Sequence, residues 1–329
     1  MPILDKTKII SRISCLKLSA VKHPMRASTG LSTNLVNQKV FNPVSDALFN
    51  KVRVYCFIMS TKDEKEGVSR HVHATWAKRC NKHVFVTANE ASGLPSLDFG
   101  LNQTRDNLYL MIENTLKHIY DNELENYDFF LKADYDAYVV MENLRFMLLP
   151  YDPDNAYHFG CRFKHKGKLY MSGGAGYVFS REAIRRMAEH GFSKRPECNK
   201  SDRPGEDVEI AQCAAAVNVT AVDIRDRLGR HKMLPDKPTA HLTPQPLYWG
   251  FNISFVHKYS HGEQALNEYM ISFHHVDTNM MYVLDSMFYK FRRVSLMDIT
   301  QVDQFDNEDD LIDSLKALSI ENLIAYPKY

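Results

Sequence analysis

The sequence predicts an α/β fold in which a mostly parallel central sheet is flanked by helices. Three observations carry that expectation. From Lys51 onward, short apolar runs rich in β-branched and aromatic residues alternate with stretches of helical length and period. The chain has 329 residues, 44% hydrophobic and 25% charged, enough to cover both faces of a sheet and unlike a collagenous or mostly disordered chain. Two acids, Asp134 and Asp136, close a strongly apolar run, and in open parallel sheets ligands sit beyond the carboxyl ends of strands.

Taken in order, residues 1–50 read as a poorly ordered leader or linker, rich in Lys, Ser, Thr and Asn and interrupted by Pro24 and Pro43. Its segment from Lys6 to Lys22 is basic and free of acid but lacks the continuous apolar stretch of a secretory signal. The folded domain is expected over 51–290. Lys51 to Ser60 (KVRVYCFIMS) and His83 to Thr87 (HVFVT) read as buried strands, with a helix over Val68 to Cys80 between them. A long helix is expected over Arg105 to Leu124, with Leu108, Met111, Ile112, Leu116 and Ile119 on one face. Tyr127 to Ala133 follows as an apolar strand ending in acid. Next come a strand at Ala156 to Phe163, a Gly-rich stretch at Ser172 to Gly176, and helices at Arg181 to His190 and Glu206 to Val217. Residues 291–329 form a tail, whose acidic stretch Asp303 to Asp313 feeds an amphipathic run, Leu311 to Leu323, expected as a solvated surface helix.

Composition excludes several classes. With 41 Lys+Arg against 40 Asp+Glu and only short basic clusters, the chain has no electrostatic engine for nucleic acid. No apolar run approaches the roughly 18 residues of a transmembrane helix. Six cysteines (Cys15, Cys56, Cys80, Cys161, Cys198 and Cys213) include no C-x-x-C pair and no zinc spacing, and their number alone does not separate disulfides from free thiols. Sequons at Asn102, Asn199, Asn218 and Asn252 lean toward the secretory lumen.

Four constellations could carry chemistry. In Lys132-Ala133-Asp134-Tyr135-Asp136, two carboxylates at a strand end can turn toward one hard divalent cation whose other positions take phosphate oxygens; a solvated acidic turn is the competing reading. In Ser272-Phe273-His274-His275-Val276-Asp277, His274 becomes a ligand only if the fold brings it to that acidic pair, giving a mixed set that suits manganese. Gly205-Glu206-Asp207-Val208-Glu209 opens a helix, so its acids either complement the helix dipole or hold a general base for a sugar hydroxyl. Ser172-Gly173-Gly174-Ala175-Gly176 matches no phosphate loop, and its glycines allow close approach of backbone to a ligand or simply a tight turn. The absence of G-x-S-x-G leaves a serine hydrolase unsupported.

These motifs, together with FIMSTKDEKEGVSRHVHATWAKRCNK, TRDNLY, YDFFLKADYDAYVVMENLR, MSGGAGYVFSREA, GEDVEIAQC and SFHHVDTNMMY, resemble in order and spacing the core 1 β1,3-galactosyltransferases of glycosyltransferase family 31. The resemblance covers about residues 51 to 290. It implies a GT-A, Rossmann-like fold, a membrane-anchored enzyme of the Golgi lumen, and inverting transfer of galactose from UDP-galactose to the 3-hydroxyl of GalNAc α-linked to Ser or Thr of glycoproteins, with Mn2+. By the same resemblance Asp134, Asp136 and His274 hold the metal, and Asp207 is the base. Met59, Ser60, Thr61, Arg70 and Asp134 approach the nucleotide, and Gly173, Gly174, Glu206, Tyr248 and Trp249 approach the acceptor. It also pairs Cys56 with Cys80 and Cys198 with Cys213, leaving Cys15 and Cys161 free, and keeps a homodimer open. The chain departs from the family pattern at Tyr135, where a middle acid is usual, and at Ala211, where glycine is usual. Two alternatives follow: a catalytically silent relative acting as chaperone or sugar-binding module, or a family 31 transferase with another donor such as UDP-GlcNAc.

Overall fold

The computed structural model describes residues 43–60, 67–87, 93–102, 104–199, 205–244, 254–257, 259–260, 262–265, 267–290 and 307–321. Its centre is a seven-stranded sheet in the order β10-β6-β9-β4-β1-β2-β3, formed by β1 (Val54–Met59), β2 (Lys82–Val86), β3 (Ser96–Leu97), β4 (Phe129–Asp134), β6 (Tyr157–Gly160), β9 (Tyr177–Ser180) and β10 (Thr220–Asp223). β1 pairs parallel with β2 and β4, β2 with β3, and β6 with β10, whereas β9 runs antiparallel to β4 and β6. β9 reverses because the chain reaches it from the hairpin β7 (Arg162–His165) and β8 (Lys168–Met171), not from a crossover helix.

The period of two along each strand divides the core. Val54, Cys56 and Ile58 of β1 join Phe129, Leu131 and Ala133 of β4 on one face. Tyr55, Phe57 and Met59 join Phe130, Tyr177 and Phe179 on the other. The first face is covered by α1 (Pro43–Lys51), α2 (Val68–Ala74), α4 (Met141–Leu148) and α8 (Thr278–Tyr289). The second lies under α3 (Leu108–Asn122), α5 (Arg181–Arg186) and α6 (Glu206–Ala216). On α3 the buried positions include Met111, Ile112, Leu116 and Ile119, the stripe expected from the sequence.

Several bounds shift for local reasons. A helix lies inside the stretch read as a leader, since α1 buries Ala47 and Leu48, and β1 opens only at Val54. The helix expected to Cys80 ends at Ala74, where the Thr75 backbone leaves the helical region (φ −101°, ψ −100°) while its hydroxyl donates to the His71 carbonyl at 2.7 Å; a 3₁₀ turn follows at Ala77–Arg79. The strand expected over Ala156 to Phe163 splits at Cys161. There the chain leaves the sheet close against β8, and a Cβ on Gly160 would stand 2.8 Å from Met171 Cβ. The tail helix α9 (Glu308–Glu321) is not merely solvated, because Leu311 and Ile312 are buried and Ser319 donates to the Phe146 carbonyl. Cys56–Cys80 and Cys198–Cys213 are disulfides and Cys161 is a buried free thiol. Cys15 lies outside the described residues. No helix among the described residues is long and apolar enough to cross a membrane.

Candidate active site

The site assembles where β4 and β1 end side by side. Met59 pairs with Asp134 across the ladder, and the Tyr135 amide donates to the Met59 carbonyl at 2.9 Å. The same alternation that sends Leu131 and Ala133 into the core puts Lys132 and Asp134 on the opposite face. Met59 and Ser60 are buried, with the Ser60 hydroxyl 3.1 Å from that of Ser69 on α2; Arg70, next along α2, is exposed.

After Asp136 the chain forms β5 (Tyr138–Val139), which pairs antiparallel with β11 (Ser272–Phe273). That short ladder, extended by a bond from the Val276 amide to the Asp136 carbonyl at 2.8 Å, carries the two histidines across to the acids. His274 Nε2 stands 3.2 Å from Asp136 Oδ1 and 3.7 Å from Asp134 Oδ2. Its other nitrogen, Nδ1, lies 3.3 Å from the Pro235 carbonyl oxygen. Donation of Nδ1–H to that carbonyl orients the ring with Nε2 toward the carboxylates, the outer-shell arrangement of a metal-ligating histidine. His275 Nδ1 is 3.4 Å from Asp136 Oδ2, its ring stacks on His274 at 3.8 Å, and its backbone sits at φ 52°, a left-handed conformation rare outside glycine. One ligand atom each from Asp136, His274 and His275 lies within 4.8 Å of the others. Mixed carboxylate and imidazole donors of this kind fit a divalent cation such as manganese. Burial raises the Asp136 carboxyl, but hydrogen bonding and charge from the two histidines outweigh it and hold it below its ordinary range. Burial likewise lowers His274, and Asp136 more than compensates, so its imidazole sits above its usual value.

The glycine-rich turn between β8 and β9 joins this cluster to the acidic start of α6. The Gly173 amide donates to Asp207 Oδ2 at 3.0 Å, and the Gly173 carbonyl accepts from Lys132 Nζ at 3.2 Å. Asp207 Oδ1 accepts from the Val208 amide at 2.9 Å. A Cβ on Gly174 would lie 2.3 Å from His274 Nδ1, so only glycine lets the imidazole pack against the turn. Burial raises the Asp207 carboxyl against the pull of those two amides and Lys132. It pushes Glu206 up to about 7 despite Lys132, whose Nζ stands 3.3 Å from Glu206 Oε1 in an ion-pair contact that makes no well-directed hydrogen bond.

The structure therefore gathers Asp134, Asp136, His274, Gly173, Gly174, Glu206 and Asp207 around one turn, with Met59 and Ser60 at the neighbouring strand end. Thr61, Tyr248 and Trp249 lie outside the described residues. Sequence reading did not single out His275, although adjacency to His274 was a signal, or Lys132, whose place two residues before Asp134 puts it on the same face. The two glycines meet Asp207, Glu206 and His274, so their visible work is packing within the site.

The Fringe-like family description matches residues 50–283. A Xenopus laevis protein named glycoprotein-N-acetylgalactosamine 3-beta-galactosyltransferase 1 is 36% identical over 277 residues, covering 82% of this chain and 75% of that protein. A mouse beta-1,3-glucosyltransferase is 24% identical over 187 residues, 54% of this chain, and the match spans about a third of its length (36%). A solved Drosophila β1,4-galactosyltransferase 7 variant in complex with manganese, UDP-Gal and xylobiose is 15% identical, with a TM-score of 0.31 over 52% of this chain and 64% of that one.

Proposed function

Because the chain belongs to the Fringe-like family, we propose that it is a manganese-dependent inverting β1,3-galactosyltransferase, moving galactose from UDP-galactose to the 3-hydroxyl of GalNAc α-linked to Ser or Thr of glycoproteins. One observation carries the reading: a single turn, Ser172 to Gly176, holds a metal-capable cluster on one side and a buried, doubly hydrogen-bonded aspartate on the other. A donor diphosphate and an acceptor hydroxyl brought to one place need that pairing.

Asp136 and His274, with Asp134 and His275 beside them, would hold the cation, which supplies Lewis-acid neutralisation of the departing diphosphate. Met59 and Ser60 close the floor of the nucleotide side, and Arg70 offers a guanidinium at its exposed rim. Asp207 accepts the proton of the acceptor 3-hydroxyl as the oxygen attacks the anomeric carbon from the face opposite UDP. The new C–O bond forms as the bond to the diphosphate breaks, so an α-linked donor gives a β-linkage without a covalent enzyme intermediate. Backbone amides at both carboxylate oxygens fix the orientation of Asp207 and leave lone pairs for the incoming proton.

The Golgi lumen is the proposed location. Two disulfides need an oxidising compartment, and the sequon residues Asn102, Asn199 and Asn218 are exposed. The test is transfer from UDP-galactose, with UDP-GlcNAc in parallel, to a GalNAcα-Ser/Thr peptide in the presence of manganese, comparing the wild-type chain with Asp136→Asn. Galactose transfer lost in the variant supports the reading. Transfer from UDP-GlcNAc alone would move the chain to another donor, and manganese-independent failure to bind UDP would favour a silent relative.

A further inference from the structure

Lys132 is 3% exposed, and the chemistry above assigns it no step. Its ammonium lies 2.7 Å from Asp134 Oδ1, 3.3 Å from Glu206 Oε1 and 3.2 Å from the Gly173 carbonyl oxygen, with the Tyr177 ring centroid at 5.6 Å. Two of these are hydrogen bonds, to Asp134 and Gly173, and the third is an ion-pair contact with Glu206. An ammonium in such a place is tolerated only when paired, and here the partners come from separate elements: β4, the glycine turn and the start of α6. By occupying Asp134 Oδ1 it leaves Oδ2 as the oxygen facing His274. We propose that Lys132 is the shared counter-ion of the site, a positioning residue that ties Asp134 to the start of α6 and leaves Asp207 as the charged member of the Glu206–Asp207 pair.

This inference rests on Asp207 as the proton acceptor. The groups facing the pair are Lys132 and Asp134 from β4, Tyr170 from β8, Tyr177 from β9 and the Gly173 amide, and among these described groups Lys132 is the cation. The two carboxylates are not equivalent. Asp207 has an amide donor on each oxygen, whereas Glu206 Oε1 has only the imperfectly aimed ammonium. A proton taken up by the pair therefore goes to Glu206 first, and Asp207 stays ionised for as long as Lys132 offsets the burial of both.

The experiment is the pH profile of kcat/KM for the wild-type chain, Lys132→Met, Glu206→Gln and the double variant, with thermal melts to establish folding. In Lys132→Met the acid limb should move up by about 1–3 pH units, the range by which a nearby opposite charge ordinarily depresses a carboxyl. Glu206→Gln, which mimics the already protonated partner, should leave the limb in place, and the double variant should keep the upward shift of Lys132→Met. Infrared difference spectra at neutral pH should show an added protonated-carboxyl band in Lys132→Met. A folded Lys132→Met with limb and band unmoved overturns the proposal. If Lys132→Met does not fold, a limb that falls by about a unit or more in Glu206→Gln overturns it instead, because Glu206 would then still be charged while Asp207 takes its proton. A wild-type chain that transfers no sugar sinks the transferase reading, and the infrared band still decides the role of Lys132.

Discussion

Gly174→Ala is the sharpest probe of the site, because it adds one methyl group at a position whose backbone tolerates alanine. Gly174 is absent from the left-handed glycines, so the cost is steric alone. The added Cβ would meet His274 Nδ1 at 2.3 Å, Cε1 at 2.4 Å and Cγ at 3.0 Å, all ring atoms with nowhere to bend. Restoring an ordinary contact of about 3.5 Å requires the imidazole to retreat by about 1 Å. That retreat strains the bond from Nδ1 to the Pro235 carbonyl and swings Nε2 away from Asp136, which stands 3.2 Å from it. Loss of an outer-shell support ordinarily weakens a metal site by about 10–100-fold, and the upper end, about 2.7 kcal/mol, is expected because the ring itself must move. Manganese binding by calorimetry or by loss of the free-ion paramagnetic signal measures this directly, with a thermal melt to show that the fold is retained. Affinity within threefold of wild type in a folded Gly174→Ala would refute the argument that this glycine exists to seat His274.

Three further outcomes are expected. Asp207→Asn should lower galactose transfer by about 10²–10⁴-fold while manganese-dependent UDP binding persists; equal loss of both would make Asp207 a structural anchor. Burial pushes Glu206 up to about 7 from its ordinary 4.5, so the folded chain keeps a proton that the unfolded chain releases. That contribution is fully present below about 4.5 and is lost as pH rises through about 7; denaturant unfolding across that range should show the fall in wild type and a flatter slope in Glu206→Gln, and parallel slopes would exclude Glu206 as its source. The Cys198–Cys213 disulfide closes a loop of 15 residues between the segment before α6 and α6 itself. Replacing both cysteines with alanine should cost about 3 kcal/mol of unfolding free energy, and a change below about 1 kcal/mol would mean that the packing of α6 holds the segment without it.

Much of the fold was legible because its signals are local. The alternation in Val54–Met59 and Phe129–Asp134, and the stripe along Leu108–Asn122, follow from one- and three-to-four-residue periods. The pairing of β9 was not legible, since a strand of buried residues on both faces reads alike in either direction. The end of α2 turned on the Thr75 backbone leaving the helical region, and the docking of α9 on contacts with α1 and α4, made by residues far away in the chain.

For the site the division is similar. By itself the sequence determined the chemical types available: two acids at a strand end, an acidic helix start, a glycine run and a histidine pair. Whether they met was decided by tertiary structure, because the distances that matter join residues such as Asp136 and His274, brought together only by the β5–β11 ladder. The same holds for Lys132, an unremarked cation in the sequence whose burial between Asp134 and Glu206 gives it meaning. Residue type sets what a group can donate, accept or charge; through-space distance and desolvation, which no local window contains, set whether it does.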